Sequence, residues 1–166
     1  MKPRFIKVYF NIAKEISSLS YSERLKVGTI IVKDNRIISI GFNGTTPGSD
    51  NICEDKRLIG KSNFFNVIDA SYELITKPEV IHSEMNALHK LARSHESGEG
   101  SAMFCTHSPC LECAKGIIMS GIASFYYESE YRSNDGLEFL KKCGVEVCKK
   151  DWFLSIFWYI NTWNTI

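Results

Sequence analysis

The sequence predicts an α/β sandwich of three layers built on a five-stranded mixed sheet, and three observations carry that prediction. A helical hydrophobic period at the N-terminus gives way to two strand-like runs around a turn, so a helix and a β-hairpin come first. After the hairpin, a helical segment precedes each later strand, and strands joined through helices can lie parallel, which makes the sheet mixed. The 166 residues suit one ordinary domain, 1–166, with a hydrophobic core of its own.

From Phe5 to Leu19 the apolar residues Phe5, Ile6, Val8, Tyr9, Ile12, Ala13, Ile16 and Leu19 recur at steps of three and four, the pattern of an amphipathic helix that packs on a sheet. A polar, serine-rich break follows, Ser17 to Glu23. Val27 to Val32 and Arg36 to Ile40 then flank Asp34-Asn35, a hairpin by its turn chemistry. Gly41 to Gly48 holds three glycines and a proline and reads as a shaped loop. Residues 49–80 read as an irregular excursion: Cys53 to Arg57 is charged, Phe64 and Phe65 stand alone, and Asp69 to Ile75 suits a short helix.

Pro78 ends that region, and Ser83, Met85, Ala87, Leu88 and Leu91 support a helix from about His82 to about Ser94, closed by the turn Ser97 to Gly100. Ala102 to Thr106 is a short strand. Ser108-Pro109 predicts a helix with serine at the N-cap and proline at the first helical position. Gly116 to Gly121 finishes it, Ile122 to Tyr127 is a strand, Gly136 to Cys143 a helix and Val145 to Cys148 the last strand. The aromatic run Trp152 to Ile160 is expected to be a packing helix.

Two short pieces carry the chemistry. His82-Ser83-Glu84 and Ser108-Pro109-Cys110-Leu111-Glu112-Cys113 together offer one imidazole, two thiols and one carboxylate that need not be a ligand. Catalytic zinc uses three protein ligands of these types and leaves a fourth position open. His82, Cys110 and Cys113 are the expected ligands, and Glu84 is the expected acid/base. Three-residue spacing puts both cysteines on one helix face, and the helix N-terminus favours their thiolates. A redox pair would not require His-x-Glu, and a closed structural zinc site would require a fourth ligand.

Composition narrows the partners. With 20 basic and 19 acidic residues the formal charge is +1, which gives no case for a nucleic-acid groove or an anionic membrane. No signal-peptide pattern opens the chain and no apolar run reaches the length of a membrane span, so a cytoplasmic protein is expected. The six cysteines then belong to a reducing setting.

His-x-Glu followed by Pro-Cys-x-x-Cys is the pattern of zinc-dependent nucleobase deaminases. On these residues, and on Val27 to Val32, Ile38 to Gly44, His82 to Ala87 and Ser108 to Lys115, the chain resembles the cytidine and deoxycytidylate deaminase superfamily from about Val27 to Val147. The loop Gly41 to Asn51 and the later Tyr131-Arg132 look like its deoxycytidylate branch, including members carried by bacteriophages. The resemblance implies hydrolysis of dCMP to dUMP, feeding thymidylate synthesis. Zinc would activate water for attack at C4 of cytosine, and Glu84 would protonate N3 and the leaving amine. The same zinc machinery also serves free cytidine or deoxycytidine and adenosine in transfer RNA, and a non-catalytic nucleotide-binding zinc protein is a further alternative.

The resemblance also distributes roles. The backbone around Ser83 and Cys110 would hold the developing oxygen, and the carbonyl of Ser108 would receive the amino group; the family usually has alanine where this chain has Ser83. Asn43 matches an asparagine that bonds the sugar hydroxyl, with a left-handed turn residue as the alternative. Arg24, Lys26 and Arg132 are candidates for the phosphate, each equally readable as a solvated surface charge. Tyr131 would close over the substrate. Many members are homohexamers switched on by dCTP, often with Mg2+, and off by dTTP. Residues 41–57 suit such a site, with Gly44, Asn51, Glu54 and Asp55 as candidates. No cysteine precedes Val27, so a second, structural zinc is not expected, and Cys53, Cys105, Cys143 and Cys148 read as small buried hydrophobes.

Overall fold

A computed structural model describes residues 1–59 and 71–150. Helix α1 (Pro3–Ser18) begins with a proline whose missing N–H would have no partner there in any case. Strands β1 (Gly28–Lys33) and β2 (Arg36–Phe42) form the predicted hairpin. Asp34 and Asn35, at φ 49° and 60°, are the positive-φ pair that a two-residue type I′ turn requires. After β3 (Glu54–Ile59) and β4 (Ser71–Thr76) the chain continues as α2 (Ser83–Ala92), β5 (Ala102–His107), α3 (Leu111–Met119), β6 (Ser124–Ser129), α4 (Asp135–Lys142) and β7 (Glu146–Lys149).

Five strands make one mixed sheet in the order β2-β1-β5-β6-β7. β1 is antiparallel to β2 and β5, whereas β5-β6 and β6-β7 are parallel across the helices that join them. The period of two along the strands divides the core into two layers. On one face Ile30, Val32, Phe104 and Tyr126 pack against Ile6, Tyr9, Phe10 and Ala13 of α1. On the other, Ile31, Met103, Cys105 and Phe125 pack against Ala87 and Leu91 of α2, Ala114 and Ile117 of α3, and Leu137 and Leu140 of α4. The expected sandwich is therefore observed. Full burial of each large side chain, such as Phe10, Phe104 and Phe125, stabilises by about 1.5–3 kcal/mol.

Two glycines bring the chemical helices close. A Cβ on Gly41 of β2 would lie 2.2 Å from the Ser83 carbonyl oxygen and 2.5 Å from the Ala87 nitrogen, so α2 can sit this near only over glycine. Asn86 Nδ2 donates to the Phe42 carbonyl at 2.7 Å and fixes the same approach. A Cβ on Gly136 would lie 2.2 Å from the Pro109 carbonyl oxygen, so α4 presses its start on the Pro109-Cys110 turn.

Three expectations need correction. The region 49–80 is not wholly irregular, nor is 71–75 helical: β3 and β4 pair antiparallel from Glu54↔Thr76 to Ile59↔Ser71 as a separate two-stranded ribbon. Its ladder, not burial, holds it, since most of its side chains are exposed. Helix α3 starts later than Ser108-Pro109 suggests, because Cys110 is the N-cap and its Sγ accepts from the Cys113 N–H. Cys143 is exposed, while Cys53, Cys105 and Cys148 are buried. Phe64, Phe65 and the helix expected over Trp152 to Ile160 lie outside the described residues.

Candidate metal centre and active site

The two chemical pieces meet at the N-termini of α2 and α3. His82 is the N-cap of α2 and Glu84 lies in its first turn; Cys110 caps α3 and Cys113 follows one turn later. His82 Nδ1 lies 3.5 Å from Cys110 Sγ and 3.4 Å from Cys113 Sγ, and one ligand atom from each of the three residues lies within 4.8 Å of the others. Such separations suit hydrogen bonds to sulfur and equally match the edges of a coordination tetrahedron. Zn–S of about 2.3 Å and Zn–N of about 2.0–2.1 Å give an S···N edge of about 3.5 Å. The donor set, its spacing and its position at two positive helix ends all fit zinc, with Nδ1 as the imidazole ligand.

The electrostatics agree. Contacts from Cys113 and His82 hold the Cys110 thiol down at about 3, and the same sharing together with burial pushes the Cys113 thiol up. One thiolate is thus stabilised by protein contacts alone, and a coordinated dication would deprotonate both. Its hydrogen bond to Cys110 raises the His82 imidazole. Burial raises the Glu84 carboxyl above its ordinary range, against its own amide and His82. A carboxyl at 4 % exposure beside a metal site has the environment of a proton shuttle, not of a solvated charge.

A cavity of about 230 Å³ opens over these groups. His82, Ser83, Glu84, Ser108 and Cys110 line its inner part, and Arg24, Asn43 and Tyr131 line it from other segments. Asn43 is buried; its Oδ1 accepts from the Val27 N–H and its Nδ2 donates to the Leu25 carbonyl, both at 2.8 Å. Among the described non-glycine residues positive φ occurs at Asp34 and Asn35, so Asn43 is not the left-handed turn residue of the alternative reading. Tyr131 is tied in through its N–H, which donates to Ser108 Oγ at 2.7 Å.

Of the three phosphate candidates, Arg24 lines the cavity, with its guanidinium donating to Thr76 Oγ1 at 3.1 Å. Lys26 and Arg132 are exposed and are not among the lining residues; Arg132 stacks over the Tyr131 ring at 5.5 Å. The regulatory candidates also separate. Asn51 and Asp55 are exposed, and Gly44 forms an antiparallel bridge with Ile81. Glu54 is buried, accepting the Ser22 hydroxyl and the N–H groups of Glu23 and Arg24.

Sequence reasoning missed Ser22, Leu25, Thr76, Val80 and His107, all of which line the cavity. His107 stands beside the Thr106 hydroxyl, and burial lowers its imidazole. One signal was available: His107 immediately precedes Ser108-Pro109-Cys110, so any cavity at the zinc motif includes it.

The family described as the cytidine and deoxycytidylate deaminase zinc-binding region matches residues 3–129. The deoxycytidylate deaminase of Enterobacteria phage T4 is 32% identical over 170 residues, covering 86% of this chain and 86% of its own. ComE operon protein 2 of Bacillus subtilis is 32% identical over 141 residues, covering 84% of this chain and 68% of its own. Among solved structures, the dCMP deaminase of cyanophage S-TIM5 in complex with dCMP and dUMP is 42% identical with a TM-score of 0.75, covering 90% of this chain and 98% of its own.

Proposed function

The chain belongs to the cytidine and deoxycytidylate deaminase family, and from that membership we propose that it is a zinc-dependent hydrolase converting dCMP and water to dUMP and ammonia. The observation that carries the proposal is one cavity lined by His82 and Cys110 of a His/Cys/Cys set, by a buried carboxylate, and by Asn43 and Arg24. The likeness to a cyanophage enzyme bound to dCMP and dUMP supports the nucleotide as substrate.

His82, Cys110 and Cys113 would hold the zinc, a Lewis acid that makes water nucleophilic at neutral pH. Glu84 takes the first proton from the water whose oxygen bonds to C4 of cytosine and delivers it to N3. It then carries the remaining proton of that oxygen to the exocyclic amine, the C4–N bond breaks, and ammonia leaves. The backbone at Ser83 and Cys110 serves the new oxygen, and the Ser108 carbonyl receives the amino group. Asn43 keeps one lone pair on Oδ1 and one hydrogen on Nδ2 beyond its internal bonds, which suits a sugar hydroxyl. Arg24 answers the phosphate with donors beyond the one given to Thr76, and Tyr131 covers the bound nucleotide.

Regulation belongs to the same proposal: activation by dCTP with Mg2+, inhibition by dTTP, and assembly as a homohexamer. Its support is family membership, and Glu54 gives a route by which the 41–57 region could act on the segment bearing Arg24. The test is a substrate panel of dCMP, CMP, deoxycytidine and dCTP, each with and without added dCTP or dTTP. Preferred turnover of dCMP is the expected result; preferred turnover of deoxycytidine would overturn the nucleotide assignment. Rates indifferent to both triphosphates would remove the regulation.

A further inference from the structure

Behind Glu84 lies a group of buried polar atoms to which the reaction above gives no part. Thr29 of β1 and Cys105 of β5 are paired across the sheet, and Ser83 opens α2 directly over them. Thr29 Oγ1 lies 2.7 Å from Ser83 Oγ and 3.1 Å from Cys105 Sγ, and Ser83 Oγ donates to Glu84 Oε2 at 3.0 Å. Thr29, Ser83 and Cys105 are all 0% exposed.

Each hydroxyl has one hydrogen and can also accept, so the three side chains form one connected group. Ser83 gives its hydrogen to Glu84, and the Thr29 hydroxyl, set between Ser83 Oγ and Cys105 Sγ, backs Ser83 from the core. Burial pushes the Cys105 thiol up to about 12, so this end of the chain stays protonated. The group ends in the core, with no exposed member, and its contact with Glu84 holds an orientation. A buried polar group left without its partner costs free energy, so three fully buried polar side chains aligned on one carboxyl oxygen resist its rotation.

We propose that Ser83, backed by Thr29, is a positioning residue for Glu84: its hydroxyl ties down Oε2, and the carboxyl is thereby presented to the substrate in one orientation. A hydroxyl both donates and accepts, so it can keep this hold through each step of a proton transfer. The inference rests on the deaminase reading for its kinetic consequence and on the fold alone for its geometry.

The test uses the zinc-loaded protein with Ser83→Ala, Thr29→Val and Thr29→Ser. Ser83→Ala is expected to lower kcat for dCMP about ten-fold with KM within about two-fold and zinc content unchanged. Thr29→Val, which keeps the shape and loses the hydroxyl, is expected to lower kcat about three-fold, and Thr29→Ser to restore it. The Ser83→Ala, Thr29→Val double variant should be no slower than Ser83→Ala alone, because both act through one carboxyl. A crystal structure of the Ser83→Ala holoprotein is expected to show Glu84 in more than one conformer. A single unchanged Glu84 conformer overturns the proposal, as does Thr29→Ser behaving like Thr29→Val. If the unsubstituted protein leaves dCMP intact, the deaminase reading fails, and the Glu84 conformers still decide this one.

Discussion

The inner end of the cavity and its mouth are built in opposite ways. The inner end is assembled from two short stretches on the first turns of α2 and α3, pressed against the sheet at Gly41 and against α4 at Gly136. The mouth is assembled from side chains far apart in sequence, among them Arg24, Thr76 and Tyr131, with the buried Asn43 beneath them, all held by side-chain hydrogen bonds and one buried carboxylate. Chemistry that tolerates little displacement sits where backbones touch. On the proposed reading, substrate choice sits where side chains can be exchanged without moving a helix.

That contrast can be broken at several points. Removing the metal with a chelator should abolish turnover and leave the far-UV circular dichroism unchanged, with zinc restoring activity; collapse of the dichroism would mean that the inner end is not self-supporting. Glu84→Gln should lower kcat by at least about 100-fold while zinc stoichiometry is kept, and near-normal turnover would remove Glu84 from the mechanism. At the mouth, Arg24→Ala should cut the preference for dCMP over deoxycytidine by about ten-fold, the value of one charge-assisted contact of about 1.4 kcal/mol. Glu54→Gln should raise KM for dCMP several-fold with kcat nearly kept and lower stability by about 1–3 kcal/mol, because one oxygen that accepts N–H groups becomes a donor. The smallest effect is expected at Arg132, exposed over Tyr131: Arg132→Ala should leave the dCMP preference within about two-fold. A larger loss there than at Arg24 would reverse the assignment of the phosphate.

The same contrast governs what could be read from the sequence. The hairpin was legible because Asp34-Asn35 dictates a turn, and the later strands because short apolar runs stand between helical segments; which side of the sheet Ile30 and Ile31, or Phe104 and Cys105, face is set by the fold. The ribbon was not: Glu54-Asp55-Lys56-Arg57 carries charge at successive positions, since neither face is covered, and Tyr72 and Ile75 fall at a helical step. The start of α3 misled because Ser108-Pro109 has the chemistry of a cap, whereas the sulfur of Cys110 supplies one at the metal site. At the site, the expected zinc ligands and acid/base stand in two local patterns, but Ser22 and Thr29 sat in stretches read as a linker and a plain strand. Hydroxyls of that kind gain meaning only from partners dozens of residues away, as Ser22 does from Glu54 and Thr29 from Ser83.

The closeness of β2 to the backbone of α2 at Gly41 bears on how an ion is taken up. A helix seated this tightly has no ordering entropy left to lose when its histidine meets two sulfurs, so loading draws little on the free energy of folding. An ion would then enter a site whose helices are already in place. Where small zinc modules spend their affinity on organising the chain, this one would keep that affinity for the metal, and a residue larger than glycine at 41 would push the start of α2, and with it His82, away from the sheet.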